Sequence, residues 1–329
     1  MYAEPNYVLH ALDTPNDPSF PQQWNLQNNG QDGGTSGADI HATQAWNLTT
    51  GSPKVVVAVI DSGIDYPHPD LAANTWSNSA PFSQTIDGVS INCAVGTHGY
   101  NAITNTCDPM DDNGHGSHIS GIIGAVGNNG VGVTGVNWAV QVMACKWLDA
   151  TGAGAASDAI TCLDFVKAMK DSGMNIVATN NSWGGSFSQA MSDAIQVQQQ
   201  DGILFIAAAG NNFCDNDVVA VYPADFFLPN IISVAATNRF DQLAAFSDFG
   251  PQSVHLGASG QEILSTTPGN TYAVMSGTSM AAPQVTGVAA LLAAQDSTRD
   301  WRALKNLILA GGDPLPALTQ TITGNRLDA

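Results

Sequence analysis

Ser279 stands in SGTSMAAPQV (276–285), two residues past a glycine and ahead of small residues that read as the start of a helix. A helix opening there turns unpaired N–H groups and its positive dipole end toward whatever the hydroxyl attacks. Pro283 supports that register. It cannot donate to the carbonyl of residue 279, a loss that a helix tolerates only near its first turn. A nucleophilic hydroxyl needs a base. His115, between Gly114 and Gly116 in DDNGHGSHIS (111–120), has the backbone room around its imidazole to serve as one. Asp61 follows the apolar run VVVAVI (55–60) directly and is a candidate to orient that base. Asn211, in AAAGNN (207–212), carries an amide that can donate to an oxygen gaining negative charge. Taken singly, these are equally an Asp turn, a helix-capping serine and a loop-forming asparagine. Taken as a set, they point to nucleophilic catalysis. His115 and His118 are one helical turn apart, as a metal pair would be, but no Glu-containing zincin pattern accompanies them. The Asp cluster before Gly114 fails as an EF-hand, because the first ligand position would be Pro109.

Such residues need a scaffold that brings them together. Apolar strands are expected at 55–60, 139–146, 175–180, 203–208 and 231–236, apolar on both faces as in a covered parallel sheet. Helices fit 115–125, 187–200, 279–295 and 299–310. A further helix at 157–171 puts Ala159, Cys162, Leu163, Val166 and Met169 on one face behind a Ser157 cap. This alternation implies an α/β, three-layer sandwich with a mostly parallel central β-sheet flanked by helices. Functional groups then gather beyond the carboxyl ends of the strands, where Asp61 and Asn211 fall. Residues 1 to about 35 are rich in Pro, Asn, Gln and Gly and read as an irregular arm. No repeat or internal domain boundary is visible, and the abrupt end at GNRLDA suggests that a natural protein continues.

Of the 329 residues, 44% are hydrophobic and 11% charged, which suits one large globular domain. No run is long and apolar enough to span a bilayer. The net charge of −19 comes almost entirely from Asp, and nine scattered basic residues give no footprint for nucleic acid. The acidity suits a secreted protein that binds hard cations, and it suits a solubility device equally well. Five cysteines leave at least one unpaired. Cys93 and Cys107 flank a polar loop that a disulfide could close. Cys145 in a strand and Cys162 on a helix read as small buried thiols, and Cys214 lies in a loop. MYAEPNYVLH is not a signal peptide, so the chain is either cytoplasmic or a trimmed form of a secreted precursor.

The stretches VAVIDSGIDYPHPDL (57–71), NGHGSHISG (113–121) and SGTSMAAP (276–283) resemble the subtilisin-like serine proteases, or subtilases. That family has the same order of Asp, His and Ser along the chain. The likeness runs from about residue 14 to 311. It implies that Ser279 attacks a peptide carbonyl, that His115 takes its proton and that Asp61 orients the imidazole. The oxyanion would be held by the Ser279 N–H and the Asn211 amide. Ser182-Trp183-Gly184 resembles the strand that pairs with substrate backbone, and Gly152-Ala153-Gly154 the strand opposite. Val221 falls at the floor of the primary pocket, where a branched residue should disfavour the largest aromatic side chains. Structural calcium is implied by TPNDP, HPDL and VGNNGVGV. These carry over to Asp17, Asp70 and Asn129, with the backbone oxygens of Val126, Val131 and Val133. No organic cofactor is implied.

Three positions depart from the family pattern: Gln284 for a usual His, Ser117 for a usual Thr, and LGASG (256–260) for an Ala-Pro-Gly turn. AEPNY (3–7) resembles the end of an inhibitory propeptide. The expected organisation is therefore residues 1–12 as a propeptide remnant or N-terminal arm and 13–329 as one peptidase domain. The expected protein is secreted and monomeric, takes protein or peptide substrates, is inhibited by its own propeptide, and has no nucleic-acid or membrane partner. Two rival classes remain. One is a catalytically silent binding domain; the other is a serine esterase, which the missing G-x-S-x-G elbow argues against.

Overall fold

The computed structural model describes residues 14–86 and 88–329, so AEPNY and the remnant expected at 1–12 lie outside the described residues. The strands are β1 (Gly51–Asp61), β2 (Phe82–Ile86), β3 (Val89–Cys93), β4 (Gly99–Asn101), β5 (Ala139–Lys146), β6 (Ile176–Asn181) and β7 (Leu204–Ala208). They continue with β8 (Ile231–Thr237), β9 (Leu256–Ser259), β10 (Ile263–Thr267), β11 (Thr271–Met275), β12 (Asp313–Pro314) and β13 (Asn325–Arg326). The helices are α1 (Ala42–Ala45), α2 (His115–Gly124), α3 (Ala156–Asp171), α4 (Gln189–Gln200), α5 (Thr278–Gln295) and α6 (Trp301–Gly311).

Nine strands form one sheet in the order β12-β13-β9-β8-β7-β6-β1-β5-β4, and β4 through β9 and β1 are all paired in parallel. β1 explains the layering. Val55, Val57 and Val59 enter one apolar cluster, whereas Val56, Ala58 and Ile60 enter another on the opposite face. The alternation follows from the two-residue period of a strand. α2 and α5 cover the first face through Ile119, Val285 and Val288, and α3 and α4 cover the second through Leu163, Val166 and Ile195. From β1 the chain runs out to the edge strand β4, returns as β5 beside β1 and crosses to β6 on the other side, so the sheet reverses its winding there. Beyond the carboxyl ends of strands at such a point lies the crevice of an α/β sheet.

Two expectations need correction, and one gains detail. The stretch 14–35 is irregular, as expected, but packed: Phe20, Trp24 and Leu26 are buried, and Trp24 Nε1 donates to Glu262 O at 3.1 Å. Its polar composition hid three apolar anchors. Ser157 does not cap α3. The helix starts one residue earlier, at Ala156, and the Ser157 hydroxyl donates to Asp158 Oδ1 at 3.4 Å. Cys145 and Cys162 are not thiols but a disulfide, with Cα atoms 5.6 Å apart. Their strand and helix pack directly on each other, which brings the pair into bridging range. In LGASG, residues 256–259 form β9, a buried strand of the sheet. The Cys93–Cys107 bridge is formed as expected, and Cys214 is free.

Candidate active site

Asp61 ends β1, fully buried, with its Oδ1 accepting from His115 Nδ1 at 2.8 Å and from Ser62 N–H at 2.7 Å. Because Nδ1 is the donor, the lone pair of the neutral imidazole is on Nε2. His115 opens α2 and keeps 26% of its side chain exposed. The glycine after it is needed: a Cβ on Gly116 would overlap the Gly63 carbonyl. Burial is the strongest single influence on His115 and opposes protonation. The charge and hydrogen bond of Asp61, with the charge of Asp111, outweigh it and hold the pKa above the usual 6.5.

Asp111 is a residue that the sequence reading passed over. Its Oδ1 accepts from the N–H groups of Asn113 (3.0 Å) and Gly114 (2.9 Å). Its Oδ2 accepts from Ser117 N (2.9 Å) and Ser117 Oγ (2.6 Å). It therefore caps the turn that presents His115, and Ser62 Oγ ties it back to the end of β1 at 2.8 Å. An Asp shortly before a helix was the available signal. Ser117 fills the role of the expected Thr, because only its hydroxyl is used. His118 turns away: its Nε2 lies 3.1 Å from Ile263 O and 3.0 Å from Ala273 O, and burial pushes its pKa down to about 4. It is a tie to the β10–β11 hairpin.

Ser279 is the second residue of α5. Pro283 leaves the Ser279 carbonyl free of its helical partner, and Ser182 Oγ donates to it instead at 3.0 Å. The Ser279 hydroxyl in turn donates to Ser182 O at 3.3 Å. Among the described residues it makes no hydrogen bond to His115, so the expected link between alcohol and imidazole is not formed in this resting arrangement. The hydroxyl meets its need on a carbonyl, and a single χ1 rotation frees it.

Asn211 Oδ1 accepts from Thr278 N (2.8 Å) and Thr278 Oγ1 (3.1 Å), which fixes the amide with Nδ2 on its other side. Nδ2 and the Ser279 N–H have no acceptor among the described residues. A Cβ built on Gly277 would lie 3.5 Å from Ser279 N and 3.6 Å from Asn211 Nδ2. Two unpaired donors thus lie beside one point next to Gly277.

Beside His115, a cleft of about 530 Å³ runs between Gly152-Ala153-Gly154 and Ser182-Trp183-Gly184. Trp183 Nε1 donates to Ile60 O at 3.0 Å, fastening that edge to the strand of Asp61. Val221 lies beside Gly184, and the next residue, Tyr222, bridges to Gly185 through hydrogen bonds of 2.7 and 3.2 Å. A smaller apolar pocket of about 140 Å³ adjoins both edges, lined by Trp147, Gly154, Trp183, Gly184, Met191 and Tyr222 among others. Trp147 and Met191 had no sequence signal beyond their apolarity.

The segments of the expected cation ligands meet through hydrogen bonds, in which Asn129 turns its Nδ2 to Asp70 while its Oδ1 accepts from Val131 N at 2.7 Å. Asp17 and Asp70 are buried and have no cationic partner among the described residues. Burial raises the pKa of each, and the charge of Asp17 adds to the rise at Asp70. Asn129 Nδ2 reaches Asp70 Oδ1 at 2.8 Å, and Asn128 N reaches Asp17 Oδ2 at 2.7 Å. The carbonyls of Val126, Val131 and Val133 accept no hydrogen bond among the described residues. Buried carboxylates beside unused carbonyls fit a hard cation.

Residues 52–315 match the subtilase family model. The chain is 38% identical over 296 residues to a thermophilic serine proteinase of Bacillus sp. (strain AK1), covering 89% of this chain and 63% of that protein. It is 33% identical over 297 residues to a cell wall-associated protease of Bacillus subtilis, covering 90% of this chain and 30% of that one. A cold-adapted subtilisin-like serine proteinase superposes with a TM-score of 0.69 at 28% identity, over 84% of this chain and 90% of that one. A protease from Pseudoalteromonas arctica gives 0.77 at 26%, over 96% and 97%. The curated relatives are thus longer than this chain. With the matched model covering most of its length and the sheet wound as in those structures, the chain belongs to the subtilase family.

Proposed function

We propose that the chain is a serine endopeptidase that hydrolyses extended protein segments. The observation that carries this reading is the bond between buried Asp61 and His115 Nδ1, which leaves Nε2 as an acceptor in the cleft. Substrate backbone adds between the edges 152–154 and 182–184 as an extra strand, and an apolar side chain enters the pocket of Trp147 and Met191. Ser279 Oγ leaves Ser182 O, gives its proton to His115 Nε2 and attacks the carbonyl carbon. The oxyanion moves between Asn211 Nδ2 and the Ser279 N–H. His115⁺, stabilised by Asp61, then protonates the leaving amine, and water repeats the sequence on the acyl-enzyme. The reading extends to a secreted, monomeric enzyme inhibited by its own propeptide, supported by the likeness of AEPNY.

The direct test is digestion of casein and of a peptide library, with a fluorophosphonate as active-site label. Stoichiometric labelling of Ser279 is expected, and the library reads which side chains the pocket of Trp147 and Met191 admits; Val221, expected at its floor, flanks Gly184 and is not among its lining residues. Ester turnover without protein turnover would identify an esterase instead. Asn211→Asp keeps the acceptor that Thr278 uses but removes the donor from the oxyanion. A fall in kcat of at least ~10²–10³ is expected, with the melting temperature unchanged.

Ca²⁺ is proposed to bind Asp17, Asp70, Asn129 and the carbonyls of Val126, Val131 and Val133. Its role there is structural, pinning the stretch at Asp17 to the loop after α2. At a hundredfold excess over the dissociation constant it would add about 2.7 kcal/mol of stability. Chelation is expected to lower the melting temperature, and Asp70→Asn to abolish that response. A melting temperature indifferent to chelator would remove the site.

A further inference from the structure

A cavity of about 280 Å³ that shares no lining residue with the cleft is walled by Phe226, Phe227, Leu228, Pro229 and Ile322, with Asp225, His255 and Lys305 among its polar groups. Phe227 is 93% exposed at its rim. Lys305, on α6, has its Nζ 3.0 Å from Pro229 O, 2.5 Å from Ile231 O and 3.0 Å from His255 Nε2. The protons of this cluster can be counted. Ser233 donates its backbone N–H to His255 Nδ1 at 3.1 Å, and the planar peptide fixes that hydrogen. Nδ1 is therefore bare, and the one proton of a neutral imidazole sits on Nε2, pointing at Lys305. An ammonium would meet it hydrogen to hydrogen. A free amine satisfies every partner: two hydrogens for the two carbonyls and one lone pair for Nε2–H.

We propose that Lys305 becomes a free-base amine in mildly alkaline solution and that the cavity beside it is a covalent modification site for small aldehydes. The charges around it agree. Burial depresses Lys305 to about 8, and no carboxylate acts on it to reverse this. Burial, with the neighbouring Lys305, pushes His255 down to about 3. Asp225, in the same wall, is raised to about 6 by burial and accepts from Val221 N and Asn216 Nδ2. An amine desolvated against an apolar wall is the usual form of a nucleophilic lysine. To react, Nζ gives up the hydrogen bond from His255. Its lone pair forms the N–C bond, and its two protons leave with the carbonyl oxygen as water. The product is an imine, and nothing is oxidised or reduced.

The test uses the whole protein blocked with phenylmethanesulfonyl fluoride, treated with benzaldehyde and cyanoborohydride at pH 6 to 10. Peptide mass spectrometry then reads each of the five lysines. At pH 7.5, benzylation of Lys305 is expected to run on the order of tenfold or more faster than that of exposed Lys54. The Lys305 rate should level off just above pH 8. A rate at Lys305 less than tenfold that at Lys54, or one still climbing at pH 9.5, overturns the proposal. Labelling is read whether or not the sulfonyl fluoride reacts, so failure here is distinct from failure of the peptidase reading.

Discussion

Ser279→Ala is expected to lower kcat on a peptide substrate by on the order of 10⁶, leaving only the background that binding and the oxyanion donors supply. The size follows from the mechanism: without Oγ there is no acyl-enzyme, and water must attack unaided. The fold should not register the change. The hydroxyl makes one hydrogen bond, at 3.3 Å to Ser182 O, and the Ser279 carbonyl keeps its bond from Ser182 Oγ. Loss of such a bond costs about 1 kcal/mol or less. Single-turnover hydrolysis beside a thermal melt checks both halves. A variant retaining a thousandth of the activity would overturn the assignment of the nucleophile.

Asp61→Asn is expected to cost about 10⁴ in kcat while leaving the site's shape intact. The carboxylate accepts from both His115 Nδ1 and Ser62 N–H through Oδ1. An amide that keeps its oxygen at that position keeps both hydrogen bonds and the shape of the site, but it removes the negative charge that stabilises the imidazolium formed when Ser279 gives up its proton. The pH profile separates this from simple damage. In the parent, burial works against the imidazolium, and Asp61 and Asp111 overcome it, so the acid limb of kcat/KM falls above pH 6.5. Protonated His115 cannot accept from Ser279, and activity drops as pH falls through that pKa. With the Asp61 charge gone the limb moves to lower pH, whereas a merely loosened site would keep it.

The five expected parallel strands and the main helices lie within a few residues of their expected positions, because doubly covered strands and amphipathic helices announce themselves by period. The hairpins were less visible. β2 and β3 pair antiparallel, with a strong hairpin signal, Asp-Gly, between FSQTI and VSINC in the sequence, yet those strands are mostly polar. β10–β11 turns at Pro268-Gly269-Asn270 and is held by His118 from another element. The residues that touch substrate in the proposed reaction were legible as motifs, since chemistry restricts their types. Those that aim them were not. Asp111 reads as one more aspartate in an acidic chain until its oxygens are seen on the first turn of α2. Lys146 likewise reads as a strand residue, although its ammonium joins Ser62 O, Asp112 and Leu148 O at 2.6–2.8 Å. The Cys145–Cys162 bridge depended on which helix covers which strand, a tertiary fact.

That bridge has a consequence for how the molecule wears. The backbone between Cys145 and Cys162 includes the exposed run 151–157, and with it the whole 152–154 edge of the cleft. A peptidase of the kind proposed would meet such a run on every other copy of itself. A nick there severs the peptide but not the polymer, because sulfur still joins β5 to α3. The injured molecule would run as one band without reductant and as two with it.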